Sequence, residues 1–252
     1  MRIVSLVPSL TELLFALDLG EALVGRTGFC IHPAPAVRCV PKMGGTKTVD
    51  EAAVIAARPT HVVVNVDENE RPTVERLQQA LPGTQWVITH PCRMLDNPTL
   101  YAQFGEVFDR RVQARRLQDA FQHAWEALEG VQHSPRSVIY LIWKDPWMTV
   151  SPDTYIADAL ACVGLQVRSP ATGRRYPEID WDDFALGAND VVLFSSEPYR
   201  FTARHAQEFA TRHGMPATRC LTVDGEMTSW YGPRAIAGLR YLSELRNRID
   251  RS

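Results

Sequence analysis

Between positions 100 and 129 apolar side chains recur every three or four residues. The larger ones are Leu100, Phe104, Val107, Phe108, Leu117, Phe121, Trp125 and Leu128, with Ala114, Ala120 and Ala124 among them. This spacing marks one face of a helix and predicts a single helix across the whole stretch. Asn97 and Pro98 supply a cap and a pre-organised first turn, and Gly130 a stop. At 1.5 Å per residue such a helix runs roughly 45 Å, longer than one small lobe requires. It predicts a spine joining two α/β lobes.

On either side of the spine, short apolar runs alternate with helical patterns. Strands are predicted at residues 3–7, 61–64 and 86–89 before it, and at 137–143, 190–194 and 221–223 after it. Ser9 and Glu12 stand at capping-box spacing ahead of a helix that Gly20 closes. Further helices are expected from Thr48 and Glu51, over 73–81, 155–163, 179–186 and 202–213, and after Gly232-Pro233 through Leu245. Apolar, β-branched strands alternating with helices favour parallel sheets covered by helices. The expected organisation is an N-terminal lobe at 1–96, the linking helix at 97–130 and a C-terminal lobe at 131–252.

A faint internal repeat supports two similar lobes. Residues 49–65 and 179–195 each read as a helix, a short turn, an apolar strand and an acidic loop, with Asp67-Glu68 after one copy and Glu197 after the other.

In open α/β lobes the usable crevice lies beyond the carboxyl ends of the strands. That rule collects Pro8-Ser9 and residues 65–68, 143–147 and 195–199, with 29–32, 44–47 and 224–231 able to line the same cleft. Trp143, Trp147, Tyr199, Trp230 and Tyr231, with Phe29, offer flat apolar area for a large planar or macrocyclic ligand. Asn65 and Lys47 add polar contacts; Gly44-Gly45-Thr46-Lys47 is not a phosphate-loop pattern, yet its lysine can neutralise a carboxylate or phosphate. Cys30 and His32 are candidate metal ligands without a partner at diagnostic spacing, and equally a core thiol and a solvated turn. Catalysis would need an activated Cys30 or paired acids among Asp67, Glu68, Glu197 and Glu226. Ser9, Ser195 and Ser196 lack the nucleophile elbow.

Composition narrows this picture. The 252 residues carry a formal net charge of -2, with basic side chains spread along the chain, which argues against a nucleic-acid surface. Five widely spaced cysteines form no disulfide framework and fit a reducing compartment. No stretch reaches transmembrane length. Met1 leads directly into the first strand with no secretory pattern, so cytoplasmic residence is expected, or periplasmic residence if an export leader was removed.

The chain resembles the helical-backbone metal-chelate substrate-binding proteins, the class holding the vitamin B12 and ferric-siderophore binding proteins of ABC importers. The resemblance rests on Ile-Val-Ser-Leu-Val-Pro-Ser-Leu-Thr-Glu at 3–12, Val24-Gly25-Arg26, residues 41–45, Arg58-Pro59-Thr60-His61-Val62-Val63, the linking helix and Trp230-Tyr231-Gly232-Pro233-Arg234. It implies two Rossmann-like lobes with parallel sheets, a class III periplasmic-binding-protein-like fold, and non-catalytic binding of cobalamin, a ferric chelate or a haem-like ligand between them. It also implies an ABC permease as partner, docked through acids for which Glu70 and Glu226 are the candidates. Where the ligand is itself a metal complex, His32 is the first candidate for an axial position. The family's first-lobe aromatic near Asn65 is replaced by an acidic loop, which implies a more polar ligand. The alternatives are a small-molecule enzyme using the same cleft and a diverged partner-binding protein.

Overall fold

The structure, a computed structural model, describes residues 1–131 and 133–251. It divides into two units: residues 1–91, 97–119 and 231–233 form the first, and 92–96, 120–230 and 234–252 the second.

In the first unit the β-branched runs become β1 (Ile3–Ser5), β2 (Leu23–Arg26), β3 (His61–Asn65) and β4 (Gln85–Thr89). All pair in parallel in the order β2-β1-β3-β4. The connecting helices are α1 (Pro8–Ala16), α2 (Glu51–Ala56) and α3 (Arg71–Ala80). Side-chain alternation sends Val4, Val62 and Val64 to one face, where they pack with Val54 of α2 and Leu77 of α3. Burial on both faces explains why β3 reads as an unbroken apolar run.

The predicted capping box does not form. Pro8 starts α1 with its preset φ, Val7 is the cap residue, and Ser9 lies inside the helix, buried.

The expected thirty-residue helix is interrupted: α4 covers Asn97–Val107 and α5 covers Arg111–Glu129. Asp109 takes φ 53°, and the Arg110 N–H closes back on the Gly105 carbonyl at 2.8 Å. That is a left-handed helix end with an aspartate where glycine is usual. At Gly105 an added Cβ would lie 2.6 Å from the Ala114 Cβ, so the glycine permits α4 and α5 to pack closely at the break. The longer piece is the 19-residue α5, roughly 28 Å long. The division between units falls inside it, after Asp119.

The second unit contains β5 (Arg136–Trp143), β6 (Met148–Thr149), α6 (Tyr155–Ala161), β7 (Leu165–Val167), β8 (Val191–Ser195) and α7 (Ala203–Arg212). It continues with β9 (Cys220–Val223), α8 (Gly225–Ser229) and α9 (Arg234–Asp250). β5 pairs in parallel with β7 and β8, and β8 with β9, while the β5–β6 hairpin is antiparallel. Ile139, Leu141, Val192 and Phe194 pack with Phe201 and Phe209 in one core cluster.

No helix forms over 179–186. The Ile179 N–H donates to the Trp147 carbonyl at 2.8 Å, and Asp180 Oδ1 accepts from the Asp182 N–H at 3.0 Å. These bonds make a turn beside β6, from which Trp181 and Phe184 reach the core cluster. In the first unit the matching aspartate, Asp50, does cap a helix, accepting from the Ala53 N–H at 3.0 Å. The internal repeat thus holds for strand and loop and lapses in the helix. Strands β6 and β7 and helix α8 are too short to register as sequence patterns, and α9 runs five residues past Leu245, to Asp250.

Candidate functional site

Each parallel sheet has a switch point where its strand order reverses, between β1 and β3 in one unit and between β5 and β8 in the other. The loops beyond these points are built alike.

In the first unit Asn65, the last residue of β3, turns its side chain back on its own loop. Its Oδ1 accepts from the N–H groups of Asp67 and Glu68 at 2.8 and 3.3 Å, while its own N–H donates to Asn69 Oδ1 at 2.9 Å. Asn69 Nδ2 donates to the Leu6 and Thr46 carbonyls, both at 3.1 Å, tying the loops after β1 and β3 together. Lys47 is exposed and its Nζ donates to the Asp67 carbonyl at 2.8 Å. Asp67 also lies 3.5 Å from His90 Nε2. Gly44, at φ 81°, accepts from the Gly28 N–H at 2.7 Å, beside the 63% exposed ring of Phe29. An L side chain at Gly44 would both strain the backbone and strike the Thr48 carbonyl.

Glu68 then meets Tyr231, whose hydroxyl donates to Glu68 Oε1 at 2.6 Å. Burial, then the neighbouring Glu68 carboxylate, pushes the Tyr231 phenol well up, so it stays protonated and donates. The next residue is held as firmly: the Gly232 N–H donates to Asn97 Oδ1 at 2.7 Å, and Tyr101 OH donates to the Gly232 carbonyl at 2.8 Å.

In the second unit Ser195 ends β8 and plays the part of Asn65. Its Oγ accepts from Tyr140 OH at 3.0 Å and donates to the Glu197 carbonyl at 2.6 Å. The Tyr199 N–H donates to the Ile142 carbonyl at 3.2 Å, tying the loop after β8 to the end of β5. Trp143, 41% exposed, sits edge-on to Tyr199 with ring centroids 5.7 Å apart. Trp147 turns inward instead, stacked on Phe201 at 5.8 Å and edge-on to Phe209 and Trp181.

Glu197 Oε1 accepts from Ser229 Oγ at 2.9 Å and from Trp230 Nε1 at 2.6 Å. Burial raises its pKa to about 6 against these two donors, helped by Glu226 and Asp224. Trp230 is 8% exposed and Tyr231 6%, so both aromatics read as ligand-facing in the sequence are largely enclosed.

Cys30 is a core thiol. It is buried, within 3.1 Å of Thr11 Oγ1 and 3.2 Å of Thr27 Oγ1, and burial pushes its pKa up, away from a reactive thiolate. His32 is half-buried in the adjoining loop. Among the described residues no group of three or more His, Cys, Asp or Glu side chains is placed to hold a metal. Glu70 is exposed at the start of α3, whereas Glu226 is half-buried and ion-paired with Arg234 at 3.1 Å. The pairing of Glu68 and Glu197 with residues 231 and 230 escaped the sequence reading; the repeat located both acids but not their partners.

Comparison with known proteins places this architecture. The family model described as periplasmic binding protein matches residues 3–220. The periplasmic vitamin B12 binding protein BtuF of Vibrio cholerae is similar over 100% of this chain and 98% of its own, at 14% identity and TM-score 0.80. The periplasmic heme-binding protein RhuT from Roseiflexus sp. RS-1 covers 98% and 97%, at 19% identity and TM-score 0.79. A periplasmic heme binding protein from Pseudomonas aeruginosa covers 97% and 91%, at 21% identity and TM-score 0.78. At these identities the likeness establishes the fold, two α/β lobes of the class III binding-protein type. No curated protein sequence matches significantly. The cytoplasmic expectation is overturned, because the matching family is periplasmic and so are these three structures. Free thiols and an opening strand were a poor guide to compartment. Among the described residues no helix is long and apolar enough to cross a membrane.

Proposed function

Because the chain belongs to the periplasmic binding protein family, we propose that it captures a chelated metal of the haem, ferric-siderophore or cobamide class for an ABC-type permease. Membership makes it a binding protein and not an enzyme. The observation that carries the ligand class is the exposed ring of Trp143, set edge-on to the half-buried Tyr199 at the carboxyl end of the second unit's sheet. Flat apolar rings at that position suit a planar or macrocyclic ligand. In the first unit the exposed Phe29 and Lys47 supply one more ring and one cation, the latter matched to a ligand carboxylate or phosphate. The names of the similar structures, vitamin B12 and heme binding proteins, support the same class.

The test is to purify the chain without added ligand, scan its absorbance and measure its metal content, then titrate it with hemin, cyanocobalamin and ferrichrome by fluorescence quenching. Saturable one-to-one binding of one of the three, at micromolar affinity or tighter, is the expected result. Absence of saturable binding by all three, with no chromophore in the purified protein, would overturn the assignment.

A further inference from the structure

We propose that Glu197 and Glu68 are paired positioning residues, each fixing one of two consecutive aromatic side chains, Trp230 and Tyr231. The proposal goes beyond the binding reading and does not depend on which chelate binds.

Glu197 follows β8 and Glu68 follows β3, the strands that the internal repeat aligns. The backbone N–H of each acid donates to the polar residue that ends its strand, Ser195 Oγ or Asn65 Oδ1, both at 3.3 Å. Each carboxylate accepts the polar edge of one aromatic ring at 2.6 Å. The division between units falls between those two rings, after Trp230, and only residues 231–233 belong to the first unit before α9 begins. An O–H or N–H donating to a carboxylate in a buried setting makes a strong, directional bond. The two acids thus fix the chain on both sides of that division. Gly225 lets the second anchor form: a Cβ there would stand 2.5 Å from both Glu197 Cγ and Ser195 Oγ.

The two anchors differ in their response to protons. Around Glu197 stand Asp224, which caps α8, Glu226 of α8 and Tyr140 of β5; from α9, Arg234 pairs with Glu226 and Tyr241 OH accepts from the Asp224 N–H. Arg234 is engaged by Glu226 and lies over the Trp230 ring, 5.1 Å from its centroid. Burial among acids brings the Glu197 titration to about pH 6. Below that pH the bond from the indole loses its charge assistance.

The experiment follows the Trp230 indole N–H in the tryptophan-labelled, ligand-free full chain from pH 5 to 8, assigned by its loss in Trp230→Phe. The resonance is expected to shift with a midpoint near pH 6. It should stop titrating in Glu197→Gln and keep its midpoint in Glu68→Gln. A wild-type resonance that does not titrate, or an unchanged titration in Glu197→Gln, overturns the proposal. Should Glu197→Gln fail to fold, Ser229→Ala removes one donor from the same oxygen and must raise the midpoint; an unmoved midpoint is equally fatal. Because no ligand is added, this outcome is separate from that of the chelate titrations.

Discussion

Trp230 Nε1 donates to Glu197 Oε1 at 2.6 Å, so an indole that reads as a ligand contact spends its polar edge on a carboxylate of its own unit. The acid is held where water reaches it poorly, and that has a cost with a definite sign.

Glu197 titrates near 6 in the folded chain against an ordinary value of 4.5. The folded state therefore binds the proton more tightly, and this group favours folding below about pH 4.5 and loses that contribution as pH rises through 6. The difference is on the order of 1–2 kcal/mol. Urea unfolding at pH 5.0 and 7.5 should show Glu197→Gln with a smaller loss of stability on raising the pH than the wild type. Equal losses in the two proteins would contradict the placement.

Asp190 behaves in the opposite sense. Burial alone would raise its carboxyl, but Ser137 Oγ at 2.6 Å, the Gly187 N–H at 2.7 Å and the Arg168 guanidinium hold it below the ordinary range. Its contribution is present above pH 3.8 and is lost as pH falls through the lowered value. Asp190→Ala leaves these donors unmatched and should cost about 2–3 kcal/mol at pH 7. In urea melts that penalty should shrink at pH 3; a penalty independent of pH would argue against an ionised Asp190.

Two glycines give a matched test of close packing. Gly225→Ala drives a Cβ to 2.5 Å from Glu197 Cγ and Ser195 Oγ, and should destabilise by about 2 kcal/mol or more. Gly83→Ala meets nothing within 4 Å and should stay within about 0.5 kcal/mol of wild type. Similar thermal midpoints for the two variants would refute the tight packing at Gly225.

How far the sequence could be read follows from which interactions are local. Strands such as Val62-Val63-Val64 are buried on both faces, and burial of that kind leaves an apolar run in the chain itself. The break at Asp109 left no mark because apolar periodicity continues through it and an aspartate, not a glycine, takes the left-handed conformation. Residues 179–186 carry helical spacing, but the Ile179 N–H is claimed by Trp147, 32 positions away. The acids of the loops were visible from the repeat. Their partners were not, because Glu197 and Trp230 lie 33 positions apart and Glu68 and Tyr231 163 apart. No local pattern encodes such pairs.

The exposed Trp143 ring yields the last prediction, which joins packing to binding. Trp143 keeps 41% of its surface open, and its one ring partner among the described contacts is Tyr199 at 5.7 Å. Removing it should leave the core intact, since the neighbouring Trp147 makes the inward contacts with Phe201 and Phe209. Trp143→Ala should therefore melt within about 1 kcal/mol of the wild type. The same change should weaken binding of whichever of hemin, cyanocobalamin or ferrichrome saturates the protein, by about tenfold, the equivalent of about 1.4 kcal/mol. Arg115→Ala is the comparison: its exposed pair with Asp119 at 3.0 Å is worth a few tenths of a kcal/mol, and affinity should not change. Trp147→Ala should do the reverse of Trp143→Ala, costing about 3 kcal/mol of stability through loss of a stacked indole. Equal affinities for the Trp143 and Arg115 variants would remove the open ring from the ligand's surroundings.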